Sequence, residues 1–168
     1  MYHRYYLKKK PSKTPIFKPT DREFTFLKNW RIVRYYALKR YELSVHELEM
    51  LLFLYDEHIF DRETFNDFAR SMTWDKHRFS EMIEKKQIAL WRQGKTSEYR
   101  KLYTLTQKSK LICSHIYKKL LGQELISENP YQNSIMKGDT HTDRVYKSLI
   151  KKMNARTKAR AHNDEEPL

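Results

Sequence analysis

The sequence has very few cysteines and glycines. Its single cysteine, Cys113, excludes an internal disulfide and a cysteine-rich zinc site, and a reducing compartment is the simplest expectation. Its three glycines stand alone at positions 94, 122 and 138, so the chain contains no GxGxxG or GxxxxGK[ST] phosphate loop. This scarcity of glycine also argues against a turn-rich β fold.

Long apolar runs are missing as well. No stretch approaches the roughly 18 apolar residues of a membrane span, and the segment MYHRYYLKKKPSK lacks the apolar core of a secretory signal. We therefore expect a soluble cytoplasmic protein with no membrane partner. No HExxH motif, Ser-His-Asp spacing or pair of carboxylates in an apolar setting is present, so we expect neither an enzyme nor a cofactor.

Positive charge is what the chain has in excess. It carries 34 Lys and Arg against 21 Asp and Glu, a net charge of +13, and this predicts a polyanionic partner. The excess is uneven, with +6 on residues 1–20, +7 on residues 88–123 and +6 on residues 141–162. Residues 21–87 carry −1, so a nearly neutral body bears three basic segments.

The first half of the chain predicts an arm followed by helices. Residues 1–19 are predicted to be a basic flexible arm because prolines recur there at every fourth position. The arm's tyrosines are suited either to stacking on bases or to packing on a protein. Thr20 with Glu23, and Ser44 with Glu47, have the spacing of capping boxes that start two helices. The apolar face of the first helix fits either a core or a subunit interface.

Two short helices come next. Phe65, Phe68, Ala69 and Met72 are expected to face inward from the first, and Phe79, Met82 and Ile83 from the second, WDKHRFSEMIEKKQ at residues 74–87. The connection between them is tight, as in a helix-turn-helix. Alternating residues then predict a β-hairpin over residues 88–106 that turns around residues 93–97.

The rest of the chain predicts two more helices. Thr106 is expected to cap a helix that turns Ile112, Ile116 and Leu120 inward and in which Cys113 is most simply a core residue. Residues 126–141 look like a loop, residues 142–162 like a basic helix with Val145, Leu149 and Met153 inward, and residues 163–168 like an acidic tail. That basic helix suits dimer packing, phosphate contact or a membrane surface.

A helix-turn-helix followed at once by a basic hairpin is the order of a winged helix. The predicted fold is therefore mainly α with a small β-hairpin wing: a winged helix-turn-helix over residues 20–125 with extra N- and C-terminal helices. Asp139, His141 and Asp143 alternate like metal ligands, but they straddle a helix start, where such residues commonly act as caps.

Three motifs resemble the MarR-type winged-helix family, over about residues 21–125. They are FARSM at 68–72, RFSEMIEKKQI at 78–88 and YTLTQKSKLI at 103–112. The resemblance places Arg78 at the family's recognition-helix arginine and Ile83 at its core aliphatic position. It implies a homodimer that binds a roughly palindromic duplex, often as a repressor and sometimes released by a small ligand.

The chain also departs from the family pattern. Gln87 stands where the family usually has glycine, and the usual wing-tip arginine is displaced by one place to Arg100, so the wing contact is expected from Arg100 or Lys95 or is weaker. The small size, basic arm and C-terminal helix resemble winged-helix proteins of tailed bacteriophages, and this resemblance implies a location in the host cytoplasm or the virion.

The DNA contact is predicted at the start of the second short helix and on the hairpin. In a helix-turn-helix the N-terminal part of the second helix meets base edges while the flanking residues hold phosphates. Arg78 has the side chain to donate a bidentate pair to guanine. The predicted DNA-binding residues are Trp74, Lys76, His77, Arg78, Ser80, Arg92, Lys95, Arg100 and Lys101.

Two functions follow from these features. The first is a sequence-specific regulator of transcription that binds double-stranded DNA as a homodimer. The alternative is a structural or architectural protein, associated with a virion or nucleoid, that uses the same fold for assembly with protein partners or for non-specific DNA binding. The location of the charge, mostly in arms and tails, favours the alternative.

Overall fold

A computed structural model describes residues 26–75, 77–94 and 100–164 of the chain. The predicted N-terminal arm, the Thr20–Glu23 capping box, Lys76, most of the predicted hairpin turn including Lys95, and the end of the acidic tail lie outside these described residues.

The described residues are mainly helical with one small antiparallel hairpin, which confirms the predicted class at that level. Seven helices and two strands follow one another along the part of the chain that the structure describes. They are α1 (Phe26–Tyr41), α2 (Val45–Glu57), α3 (Arg62–Ser71), α4 (Arg78–Glu84), β1 (Ile88–Arg92), β2 (Leu102–Leu105), α5 (Gln107–Leu120), α6 (Ser134–Lys137) and α7 (His141–Asp164).

Side-chain caps fix where the central helices begin. The Ser44 hydroxyl accepts a hydrogen bond from the Glu47 backbone N–H at 3.2 Å, and the Glu47 carboxylate accepts one from the Ser44 N–H at 2.8 Å. Asp61 caps α3 through the Thr64 N–H at 2.7 Å, and Thr106 caps α5. The predicted caps at Ser44 and Thr106 are confirmed, and each satisfies a backbone donor that the helix itself leaves unpaired.

The apolar side chains gather in two cores. The first core lies among α1, α5, α6 and α7, where Val33, Ile116 and Ile150 are fully buried. The second core lies among α2, α3, α4 and the hairpin, around the buried rings of Phe65 and Phe79. Both cores are built from residues that helical periodicity brings to one side of each helix.

Helix α5 contributes to both cores. Ile112, Ile116 and Leu120 are buried in the first core, as predicted. Cys113 is buried in the second core, where its thiol donates to the Leu51 carbonyl at 3.4 Å. Burial, with a smaller effect from the Asp56 charge, raises the pKa of the Cys113 thiol to about 12, so this thiol is an inert core group and not a reactive one.

The hairpin is anchored at its base. Ile88 pairs with Leu105 and both are buried in the second core. Tyr103 also exchanges two backbone hydrogen bonds with Phe60, at 2.8 and 3.0 Å, in the connection between α2 and α3. A break in the register between Leu90 and Arg92 marks an irregularity in β1.

The inward faces of three helices differ from the prediction. Met72, which directly follows α3, is 43% exposed although it was predicted to face inward. In α4, Phe79 and Met82 are buried but Ile83 is 43% exposed, so its predicted core position is wrong. Helix α4 has only seven residues, and the arc that it buries is too narrow to include Ile83. In α7, Tyr146, Ile150 and Met153 face the first core, whereas Val145 is exposed.

The segment predicted as a loop, residues 126–141, contains α6 and adds buried side chains to the first core. Ile126, Ile135 and Met136 are all buried there. Asn133 is buried too and caps α6 by accepting from the Ile135 N–H. This segment is therefore part of the packed structure, although it lies outside the predicted winged-helix domain.

We predict that Phe79→Ala destabilises the protein far more than Ile83→Ala. Removing the buried Phe79 ring should cost about 3–5 kcal/mol of unfolding free energy, whereas truncation of the exposed Ile83 should change it by about 0.5 kcal/mol or less. Urea unfolding followed by circular dichroism measures both. Equal losses would show that α4 packs on the face that its sequence predicts.

Candidate nucleic-acid interface

Charge is divided between two groups of helices. Helices α1, α5 and α7, here called the basic bundle, contain sixteen Lys and Arg against two Asp, a net charge of +14. Helices α2, α3 and α4, here called the acidic unit, contain three Arg against eight Asp and Glu, a net charge of −5. A polyanion is therefore attracted to the basic bundle and repelled by the acidic unit.

Helix α7 carries an ordered row of cations. Its side facing the first core holds Tyr146, Ile150, Met153 and Asn154. Four cations follow one another along the neighbouring flank at helical spacing and are exposed or half-buried. This α7 stripe consists of Arg144, Lys147, Lys151 and Lys158, and at 1.5 Å per residue it spans about 21 Å.

The first turn of α7 is fastened to α1. The rings of Tyr35 and Tyr146 stack with their centroids 3.8 Å apart. The Tyr35 hydroxyl donates to the Asp143 carboxylate at 3.2 Å, and the Thr140 hydroxyl donates to the same carboxylate at 2.7 Å. The bonds from Thr140 and Tyr35 outweigh desolvation and lower the pKa of Asp143, so its ionised carboxylate ties the start of α7 to α1.

A second attachment holds the middle of α7. The Asn154 amide accepts from the Ile126 N–H at 3.1 Å and donates to the Ile126 carbonyl at 2.8 Å and to Glu128 at 2.7 Å. Because Asn154 is buried, these bonds fix the rotation of α7 about its axis. The α7 stripe is therefore presented on a preset face.

Trp74 does not lie where a DNA contact requires it. It is 7% exposed, and its ring packs edge-on against Phe53, with centroids 5.7 Å apart, and lies 6.1 Å from Phe65. Its backbone N–H donates to the Ala69 carbonyl, which closes the turn after α3 and directs the indole inward. The predicted placement of Trp74 on the DNA-facing side of α4 is wrong, because its large apolar ring completes the second core.

Two of the arginines that were predicted to contact DNA form ion pairs with carboxylates. Arg78 bonds Glu81 at 2.9 Å, with 33% of its side chain exposed. Arg100 is paired with Asp61 at 3.2 Å and also with Glu63. Exposed pairs of this kind contribute only about 0–1 kcal/mol each, so a phosphate can replace the carboxylate, but the local positive potential is reduced.

The remaining predicted contacts are exposed or lie outside the described residues. His77, Ser80, Arg92 and Lys101 are exposed, whereas Lys76 and Lys95 are not described. The outward side of α4 shows Ser80, Ile83 and Glu84, so it offers hydrogen-bonding groups but little positive charge. The structure thus leaves α4 able to touch bases, whereas α4 itself carries a net charge of −1 and attracts phosphate little.

A buried carboxylate ties the end of α4 to α2, which the sequence reasoning missed. Glu47 accepts from the Lys85 ammonium at 2.7 Å and from the Gln87 amide at 3.2 Å. Desolvation acts to raise the pKa of Glu47, but the bonds from Lys85, Ser44 and Gln87 outweigh it and lower that pKa to about 2. The spacing of Ser44 and Glu47 signalled only the capping box, since the partners lie about 40 residues away.

The low pKa of Glu47 predicts how the stability of the protein depends on pH. A carboxylate whose pKa is lower in the folded state stabilises the protein above its unfolded pKa, here 4.5, and loses that effect as pH falls toward 2. We expect Glu47→Gln to cost about 2 kcal/mol of unfolding free energy at pH 6, and the difference from wild type to shrink steadily between pH 4.5 and 2.5. Urea unfolding at each pH measures it.

Glu49→Gln removes the same charge from the same helix and is the control for that experiment. A Glu47→Gln deficit that stayed constant down to pH 2.5 would show that the Lys85 and Gln87 bonds do not depend on the ionised carboxylate.

Within the described part of the chain, no helix is both long and apolar enough to cross a bilayer. The described His, Cys, Asp and Glu side chains form no group of three suited to hold a metal ion. Among known proteins, no family model, curated sequence or solved structure matches this chain. The MarR-type resemblance therefore rests on its three motifs alone, and what it implies for function stays a prediction.

Proposed function

We propose that the protein binds double-stranded DNA mainly through its phosphates, in a structural or architectural role, with the basic bundle as the contact surface. The observation that carries the proposal is the division of charge, +14 on α1, α5 and α7 against −5 on α2, α3 and α4. Phosphate contacts by Lys and Arg supply affinity for any duplex sequence.

The α7 stripe suits a phosphate backbone. Its cations recur along about 21 Å of one rigid helix, and DNA carries one phosphate for each ~3.4 Å of axis per strand. Because Tyr146 and Asn154 fix the rotation of α7, its Lys and Arg side chains need little ordering beyond their own rotamers. Release of counterions from the DNA then drives binding.

The acidic unit favours one orientation of the protein on the duplex. Asp75, Glu81 and Glu84 lie at or near α4, where the winged-helix interpretation places the duplex. Their charges repel phosphate, so the complex of lowest energy turns the basic bundle to the DNA and the acidic unit away from it. Like charges placed against each other are costly, so a complex with the acidic unit against the duplex is disfavoured.

A second candidate is the sequence-specific regulator, acting as a homodimer. It is favoured by the order of α3, a tight turn, α4, a hairpin and α5, which is the order of a winged helix. In this reading His77 and Ser80 reach base edges, and Arg78 leaves Glu81 to contact guanine. Arg92 and Lys101 on the hairpin then hold phosphates.

Two triple variants with the same loss of charge separate these candidates. We expect Arg144→Gln with Lys151→Gln and Lys158→Gln to make the negative slope of log K against log salt shallower by roughly 2.7, about 0.9 per lost phosphate contact. Arg70→Gln with Arg92→Gln and Lys101→Gln, outside the basic bundle, should change it by less than about 1. Fluorescence anisotropy with a random-sequence duplex at several salt concentrations measures both slopes, and a larger effect of the second variant would contradict the proposal.

Selection of random duplexes by the purified protein, followed by sequencing of the bound pool, tests specificity. Contact through phosphates predicts retention of DNA without an enriched sequence. Enrichment of a two-fold symmetric site, with half-sites about one helical turn apart and lost in Arg78→Ala, would favour the regulator instead.

A further inference from the structure

A cleft of about 600 Å³ opens between the C-terminal end of α1 and residues 130–137. It lies outside both the α7 stripe and the predicted winged-helix contacts. Three cations line it, Lys39, Arg40 and Lys137, against one acid, Glu42. Its volume is in the range that holds a nucleotide-sized ligand.

Tyr131 stands at this cleft with its side chain 98% exposed. The backbone beneath it is held in place, because the Tyr131 N–H donates to the Asn129 side chain at 2.9 Å and the Gln132 and Asn133 N–H groups both donate to the Asn129 carbonyl at 3.0 Å. The buried Asn133 amide donates to the Ser127 carbonyl at 2.8 Å. The backbone hydrogen bonds thus fix the position of Tyr131, although its ring packs in neither core.

Two of the cations that line the cleft also contact tyrosine side chains of α1. The Lys39 ammonium lies 5.9 Å from the centroid of the Tyr35 ring. Arg40 lies beside the Tyr36 hydroxyl, whose pKa is raised by desolvation and lowered in part by the Arg40 charge. Lys39, Arg40 and Lys137 are all exposed residues, so a ligand in the cleft can reach them.

We propose that this cleft binds an unpaired nucleotide of single-stranded nucleic acid. The base stacks on the Tyr131 ring, and Lys39, Arg40 and Lys137 hold the adjoining phosphates. A base that is paired and stacked within a duplex cannot lay its face on a side chain in a cleft, whereas an unpaired base can, and its stacking does not depend on sequence. Gln132 and Glu42 lie at the same cleft and are placed to hydrogen-bond a base edge.

The inference goes beyond the proposed duplex binding and does not require it. The two surfaces share Lys39 and Arg40 at the end of α1, but Tyr131 and Lys137 lie outside the basic bundle. Substitutions at Tyr131 and Lys137 therefore leave duplex binding measurable in the same protein.

The test measures, by fluorescence anisotropy at low salt, the binding of a fluorescein-labelled oligo(dT) strand twelve nucleotides long. We expect Tyr131→Ala to weaken binding by about 5- to 150-fold, and Tyr131→Phe, which keeps the ring, by less than about 2-fold. Lys137→Gln should weaken it by a smaller factor and reduce its salt dependence. Because Tyr131 packs in neither core, urea unfolding should be unchanged in both Tyr131 variants, which separates binding from folding.

A strand of the same length with abasic positions isolates the stacking contact. Wild type should bind it more weakly than oligo(dT), and Tyr131→Ala should weaken its binding no further. A duplex of the same length should bind wild type and Tyr131→Ala equally.

Three results would overturn the inference. The first is failure of wild type to bind oligo(dT), and the second is equal binding by wild type and Tyr131→Ala. The third is displacement of oligo(dT) by polyglutamate at the same charge concentration and as effectively as by unlabelled oligo(dT), which would identify an acidic-polypeptide site instead. Loss of the triple α7 variant's duplex binding, by contrast, bears only on the proposed function.

Discussion

The structure depends on α5 being buried on two sides at once. Ile112, Ile116 and Leu120 close the first core, while the neighbouring Cys113 enters the second core and donates to α2. A helix used in this way cannot rotate to improve one core without opening the other, because close-packed interiors tolerate little displacement. The basic bundle and the acidic unit therefore keep a fixed relation to each other.

Because the basic bundle and the acidic unit keep this fixed relation, their opposite net charges create an electrostatic field with a defined direction. The two units carry +14 and −5, and neither can turn away from the other, so a long polyanion meets a molecule with one attractive side and one repulsive side. Attachments by Tyr146 and Asn154 extend the same rigidity to α7. The field therefore orients the protein before any close contact forms, and its strength falls with salt.

Much of the local structure could be predicted from the sequence. The caps at Ser44 and Thr106 and the hairpin were predictable because each depends on neighbours within a few residues or on a simple alternation. The burial of Trp74 and the exposure of Ile83 were not, because in short segments the buried direction is set by what packs against them. The net charge of each segment could be counted from the sequence. That α1, α5 and α7 pack together into one basic bundle could not be predicted, because these helices meet only in the folded chain.

The two proposed kinds of DNA contact would differ in the ion pairs that they must break. The Lys and Arg side chains of the α7 stripe would approach a phosphate directly, whereas Arg78 and Arg100 would first have to leave Glu81, Asp61 and Glu63. Each exchange costs little by itself, about 0–1 kcal/mol, but it leaves the released carboxylates near the phosphates that replace them. Those carboxylates then repel the duplex across a few ångströms, so the exchange loses part of what it gains. Among the described residues no ion pair involves the α7 stripe, so the proposed contact through the stripe has no such cost. In that proposal, any reading of bases by α4 follows a duplex that the stripe already holds.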